Sequence, residues 1–323
     1  MSKQTKKILK IVLPLAVGVF LISYSYHNTT PEDRANIVKY VKEANYWWVA
    51  LSLFFGVLSH LSRAYRWGFM LEPLGYKPKY VNSVLTVLIA YFANLGIPRS
   101  GEVFRATAIS AYEDIPFEKA FGTIVAERII DLIMLLLVIF VAFLVQTDVI
   151  VAVLEENNFN PLTIVGATVA AIVLLVVGIR IIRRSSHPLL VKVKTFMDGL
   201  LDGIKSVLTM KKKWAFIFHT FFIWTMYVCM FFVIKFTVEE TTGLSLGAIL
   251  SGFVGGAFAM STTNGGLGVY PIAVSAIFEL YGISAASGDA FGWIMWIAQT
   301  LMVVFFGTLS FLILPLYNRN RRS

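Results

Sequence analysis

The stretch YVNSVLTVLIAYFANLGIPRSGEVFRATAISAY, Tyr80 to Tyr112, decides how this chain is read. It starts as an apolar run, breaks at Pro98-Arg99-Ser100-Gly101, and continues through Glu102 and Arg105 into a second helical stretch. If the run crossed a membrane completely, the charged break would lie outside and every later loop would change sides. The later loops forbid this, because their Lys and Arg clusters would then face outward, against the positive-inside rule. The segment is therefore read as a re-entrant hairpin that enters from the cytoplasm, turns near mid-depth and returns. Broken backbone at that depth is tolerated where protein or a water-filled cavity surrounds it.

Composition agrees with a membrane setting. Of 323 residues, 57% are hydrophobic and 15% charged, against about 45–50% and about 25% in a soluble domain. This excludes a soluble enzyme as the default and makes the span of about 20 residues the unit of organisation. The net charge of +9 does not point to nucleic acid, because Lys and Arg sit at the ends of apolar runs rather than along an aromatic-interleaved basic stripe. The single cysteine, Cys229, lies within an apolar run, so neither a disulfide framework nor a thiolate metal site is expected.

Outward from the hairpin, the apolar runs predict an all-α, polytopic membrane bundle of about six full spans and two re-entrant hairpins. The spans fall at about 8–26, 47–71, 117–146, 161–184, 214–237 and 288–317, and the hairpins at 80–112 and 245–281. The first run follows Lys3, Lys6, Lys7 and Lys10 and lacks a small-residue cleavage site, so it reads as a retained span. Thr30-Pro31-Glu32-Asp33 starts a short external helix: an N-cap, proline at the first helical position and acids in the first turn. Between 188 and 209, Leu189, Val193, Phe196, Leu200, Ile204 and Val207 form one stripe and Lys194, Asp198, Asp202 and Lys205 the opposite one. That pattern predicts an amphipathic helix on the cytoplasmic surface. The topology leaves roughly 21 of the 28 Lys and Arg in the cytoplasm, a bias of the expected sign, and puts both termini there.

An order repeats: span, span, Gly/Pro-broken hairpin, span, in residues 1–158 and again, from the opposite side, in 159–323. Interrupted segments at matching positions of two inverted halves point to a midplane substrate site in transporters. The alternative is that both hairpins merely fill the bundle.

Six charges are expected at depth. Arg99, Glu102 and Arg105 belong to PRSGEVFR at the first hairpin's break, and Glu127, Arg128 and Asp131 to ERIID on the following span. Glu127 lies about ten residues, or roughly 15 Å, from the cytoplasmic end of its span. Each charge near the bilayer centre costs on the order of 2.5–3.5 kcal/mol, so three arginines against three acids are expected to pair. A purely structural salt-bridge network is one outcome, and a site for an anionic head group is the other. In the second case Arg99 and Arg105 are the first choice for phosphate contacts, with Glu127 and Asp131 for a cationic or proton-carrying partner. STTNGGLGVYP, 261–271, adds Asn264 and Tyr270 as polar candidates, although glycine-rich packing accounts for that patch equally well. His60, Arg63 and Arg66 share a helical face and mark either a phosphate access path or anchors at the cytoplasmic interface. No histidine–carboxylate set has metal-ligand spacing, and GxxxxGK[ST] is absent. Neither a cofactor nor ATP hydrolysis is therefore expected.

RAYRW at 63–67, PRSGEVFR at 98–105, ERIID at 127–131 and GGLGVYP at 265–271 together resemble the family of the lysylphosphatidylglycerol synthase membrane region, also called flippase-like. The resemblance runs over roughly 47–315. It implies a bacterial, or occasionally archaeal, cytoplasmic-membrane protein that moves a phospholipid or polyprenyl-linked head group between leaflets. The expectation is a non-enzymatic transporter whose partner is an anionic or phosphate-containing membrane lipid. The alternative is a membrane-embedded lipid-modifying enzyme that uses Glu127 and Asp131 as acid and base. In a Cys229→Ala background, Ser100→Cys is expected to label from the cytoplasm and Asn264→Cys from outside; the reverse pattern overturns the hairpin reading.

Overall fold

The computed structural model describes residues 30–97, 99–146 and 210–319, together with positions 23, 27, 180, 184, 187 and 191. Nearly all of the spans expected at 8–26 and 161–184, and of the amphipathic helix expected at 188–209, lies outside the described residues. Among the described residues every regular element is helical. The helices are α1 (Pro31–Glu43), α2 (Tyr46–Leu71), α3 (Tyr80–Gly96), α4 (Ser100–Glu113), α5 (Phe117–Val145), α6 (Lys213–Val233), α7 (Leu246–Thr262), α8 (Val269–Glu279) and α9 (Ala285–Tyr317).

Local chemistry sets several starts. Asn45 accepts from the Trp47 amide at 3.1 Å, and Ser245 from the Ala248 amide at 3.2 Å, each satisfying an orphan N–H of the first turn. Among the described residues, three helices are long and apolar enough to cross a membrane: α5, α6 with its 3₁₀ extension to Thr237, and α9. The 26 residues of α2 give it the length, but its last half carries His60, Arg63 and Arg66. Exposed apolar side chains on α5 (Leu136, Phe140, Phe143) and on α9 (Leu301, Phe305, Phe311) suit a hydrocarbon surround better than water.

The two expected breaks are both present. In the first, Ile97 is extended, as a residue before proline prefers, and Arg99 turns the chain at φ 60°. The Gly101 amide donates to Asn94 Oδ1 at 2.8 Å, and the Ser100 hydroxyl to the Ala93 carbonyl at 3.1 Å. A Cβ at Gly101 would run into the Ala90 carbonyl oxygen, so glycine is what lets the arms α3 and α4 close. In the second, Gly265, Gly266 and Gly268 all take positive φ, and the Gly265 carbonyl accepts from Trp296 Nε1 at 2.7 Å. The tips of the two hairpins meet, with Leu95 packed at Gly265. At 17, 14, 17 and 11 residues, all four arms rise less than the ~30 Å of the hydrocarbon core.

Packing places the hairpins between the long helices. The pair α2–α6 forms the spine. The first hairpin lies against α5 through α4 and against α9 through α3, while the second lies against α9 through α8 and against α5 through α7. Phe231, Phe278 and Phe291 interlock α6, α8 and α9, with ring centroids 4.9–6.3 Å apart. The ends are tied as well. Asn318 and Asn82 exchange amide hydrogen bonds of 2.8 and 3.0 Å between the end of α9 and the start of α3, and Asn82 also donates to Glu113 at the end of α4. At the far end of α5, the Gln146 amide rests directly on Gly247 in the first turn of α7.

Gly101→Ala is expected to lower the thermal stability of the detergent-solubilised protein by about 1–3 kcal/mol through overpacking. Gly122→Ala on α5, where a Cβ meets nothing within 4 Å, is expected to leave it unchanged or slightly higher. Thermal unfolding of the two variants side by side checks the close approach.

Candidate functional site

The buried end of α2 presents Arg63 and Arg66 on one face, α4 contributes Glu102 and Arg105, and α5 contributes Glu127, Arg128 and Asp131. Spacings of three or four residues put each set on a single helical face. Glu127 is the centre, with 0% exposure. Arg105 grips it from one side, Nη1 to Oε1 at 3.3 Å and Nη2 to Oε2 at 3.1 Å, a two-pronged pairing that suits the guanidinium fork. Arg63 Nη1 reaches Glu127 Oε1 as well, and also Asp131 Oδ2 at 2.6 Å. Arg66 donates to Asp131 Oδ1 at 3.2 Å and to Thr220 Oγ1 at 2.9 Å, so α6 joins the cluster.

Aromatic faces complete the arginine surroundings. The Arg105 guanidinium carbon lies 3.9 Å from the Trp67 ring centroid, and Trp67 Nε1 is fixed by Thr123 Oγ1 at 2.9 Å. A cation over an indole recovers part of the lost hydration. Arg63 Nη2 donates to the Tyr227 hydroxyl at 3.2 Å, which lies 3.0 Å from the Tyr91 hydroxyl. The Nε atoms of Arg63, Arg66 and Arg105 are buried without a hydrogen-bond partner, a cost that marks the cluster as incompletely satisfied.

Among the described residues, Arg128 is the most exposed member of the cluster. Its side chain is 41% exposed, and its contacts to Glu127, Asp131 and Glu102 are long, at 3.4, 3.7 and 3.9 Å. Beside it is a cleft of about 20 Å³ bounded by Tyr91, Asn94, Glu102, Arg105 and Arg128, room for about one water. A larger groove of about 330 Å³ lies between Met70, Leu74, Glu118, Lys119 and Met210, and no charged member of the cluster lines it. Among the described residues no group of three His, Cys, Asp or Glu could hold a metal ion.

The structure thus brings together Glu102, Arg105, Glu127, Arg128 and Asp131, as their spacing suggested. It adds Arg63 and Arg66, whose sequence position suggested interface anchors or an access path. Both are buried, at 1% and 0% exposure, because two acids on α5 stand opposite their face. Arg99 is exposed at the hairpin tip and forms no ion pair among the described residues. His60 is buried with its ring 4.3 Å from that of Tyr91. Tyr270 packs on Gly256 within the second hairpin, and the Asn264 side chain lies outside the described residues. The contributions of Tyr91, Asn94, Thr220 and Tyr227 carry no sequence signal, since polar residues scattered through apolar helices look alike until the helices pack.

The family model of the lysylphosphatidylglycerol synthase TM region matches residues 11–307. The chain belongs to this family. A UPF0104 membrane protein of Methanocaldococcus jannaschii is 36% identical over 98 residues, 29% of this chain and 29% of that relative's own length. The chain therefore aligns with less than a third of that relative. No solved structure matches it. Membership fits the helical, membrane-spanning character described above, and the charge cluster lies within the matched region.

Glu127→Gln in this family member is expected to destabilise the fold by about 3–5 kcal/mol, because it leaves Arg63 and Arg105 buried against a neutral amide. The double variant Glu127→Gln/Arg105→Met is expected to recover part of that loss. A double-mutant cycle of thermal unfolding in detergent checks the coupling, and simple additivity would overturn it.

Proposed function

We propose that this membrane protein is a transporter that moves an anionic or phosphate-containing lipid head group, phospholipid or polyprenyl-phosphate-linked, across a bacterial cytoplasmic membrane by alternating access. The two working units are 1–158 and 159–323, inverted relative to one another, with both termini in the cytoplasm. The observation that carries this reading is the buried arginine–carboxylate cluster beside the point where the two hairpin tips touch. Ionisable groups are retained in a membrane interior at a cost of a few kcal/mol each, and they mark substrate paths. Broken helices at matching places in two halves are where transporters place their sites. The packing supports the inversion, since each hairpin lies between the long helix after it in sequence and the long helix of the other half.

Within this reading Arg128 makes the first contact with the head group. It is the exposed member of the cluster, and an anion can replace its long contacts without uncovering the core. Arg105 holds the site together through Glu127, and Arg99 attracts anions from the rim. The enzymatic alternative needs Glu127 and Asp131 to exchange protons with substrate; both carboxylates are instead taken up as acceptors by Arg63, Arg66 and Arg105.

Reconstitution in liposomes tests the reading. The protein is expected to speed the crossing of acyl-chain-labelled phosphatidylglycerol and return it chemically unchanged. Arg128→Ala is expected to slow crossing about tenfold or more, the loss of one charge-assisted contact. Recovery of modified lipid would move the assignment to an enzyme, and crossing at the protein-free rate would remove transport.

A further inference from the structure

Helix α9 has 33 residues, about 50 Å at 1.5 Å per residue, and each of its ends is fastened at the mouth of a different hairpin. At its C-cap, Asn318 donates to Asn82 Oδ1 at 2.8 Å and to the Leu314 carbonyl at 2.9 Å. Asn82 Nδ2 donates back to Asn318 Oδ1 at 3.0 Å and also to Glu113. A backbone carbonyl and an ionised carboxylate only accept, so Leu314 and Glu113 fix which way each amide faces. Asn82 lies in the first turn of α3 and Glu113 ends α4, so this clasp spans the mouth of the first hairpin. Both asparagines are buried, at 0% and 2% exposure.

The opposite end of α9 is held by a different clasp. Glu240, between α6 and α7, accepts from the amide of the N-cap Ser284 at 2.8 Å and from its hydroxyl at 2.5 Å, and a carboxylate is favoured at a helix N-terminus. The hydroxyls of Ser251 on α7 and Tyr281 after α8 lie 3.1 Å apart, so both arms of the second hairpin meet the same turn. Glu240 and Ser284 are exposed, and water competes for their hydrogen bonds as it cannot for the buried asparagines. Between the clasps, the hairpin tips carry Arg99, Ser261 and Thr262, all exposed. Polar side chains at that depth call for a wet cavity and not for lipid.

We propose that these two clasps are the gates of the molecule and that the structure is its doubly closed state. Release of Asn318 from Asn82 opens the seam between α3 and α9 to one face of the membrane, the cytoplasm in the proposed topology. Release of Ser284 from Glu240 opens the seam between α8 and α9 to the other face. Both seams are continuous helix contacts in the closed state. The gates open in turn, because α9 keeps one end fastened while the other is free. The asparagine gate is the harder to open, since parting it leaves buried amides without partners.

This inference rests on the transport reading, and two readouts keep them apart. In a Cys229→Ala background, Ser100→Cys and Ser261→Cys report access to the two tips by a membrane-impermeant maleimide added from either side. Asn318→Ala is expected to speed labelling of Ser100→Cys from the cytoplasmic side about tenfold, the size of two lost hydrogen bonds. It is expected to leave labelling of Ser261→Cys from outside unchanged or slower. Glu240→Ala is expected to do the reverse, by about threefold, because its clasp is exposed. Faster labelling from both sides in either variant is general loosening and overturns the proposal, as do unchanged rates. The second readout is Asn82→Cys/Asn318→Cys, bridged by a short bis-methanethiosulfonate. The bridge is expected to slow crossing of acyl-chain-labelled phosphatidylglycerol in liposomes about tenfold or more, and a reductant to restore it, which also shows the pair to be folded. Equal crossing with and without the bridge overturns the gate and leaves transport standing. Crossing at the protein-free rate in the wild type removes the transport reading, and the labelling rates then decide the clasps alone.

Discussion

The structure depends on a carboxylate with no access to water. Glu127, on a helix otherwise apolar enough to span a membrane, is held by Arg63 and Arg105 from two other helices, with Arg66 and Arg128 within ion-pair distance. None of these groups could enter a low-dielectric interior alone. Their mutual need fixes where α2, α4 and α5 lie, and Thr220 and Tyr227 bring in α6. Apolar packing around Trp67, Ile109, Ile124 and Phe216 closes over the cluster but would tolerate other registers. The charges have hydrogen-bonding directions and do not.

The hairpins solve a second constraint. Backbone that leaves the helical path inside a membrane must find partners. At the first break side chains provide them, Asn94 capping Gly101 and Ser100 turning back on Ala93. At the second break glycines adopt the positive φ values that other residues resist, and Trp296 reaches in to satisfy a carbonyl. The first tip is polar and charged, while the second is small and neutral. The contact between Leu95 and Gly265 brings these unlike surfaces together beside the charge cluster.

Much of this arrangement was legible in the sequence. Pro98 and the glycines from 265 to 268 mark the two breaks within a residue or two. The i, i+3 and i, i+4 spacings of Glu102 with Arg105 and Glu127 with Asp131 correctly announce shared faces. What spacing cannot tell is which face a neighbouring helix will meet. Arg63 and Arg66 look like interface anchors because they sit near the end of a span. They are buried because the two α5 acids stand opposite, a fact of tertiary packing. Arg99 and Arg105, six residues apart in one motif, end in opposite surroundings because α4 starts between them. Tyr91 and Tyr227 resemble any aromatic residue in an apolar helix until they are seen to touch.

The ties at the helix ends have a mechanical consequence. Asn318 is locked to the opening turn of α3 by two amide hydrogen bonds, and Gln146 sits on the opening turn of α7 with no side chain between them. Each hairpin is thereby yoked at its mouth to a long helix remote in sequence. A tilt of the first hairpin pulls the end of α9 with it, and α9 in turn carries the second hairpin through α8. The two tips are thereby coupled, through hydrogen bonds at the asparagine pair and through close packing at the glycine seat.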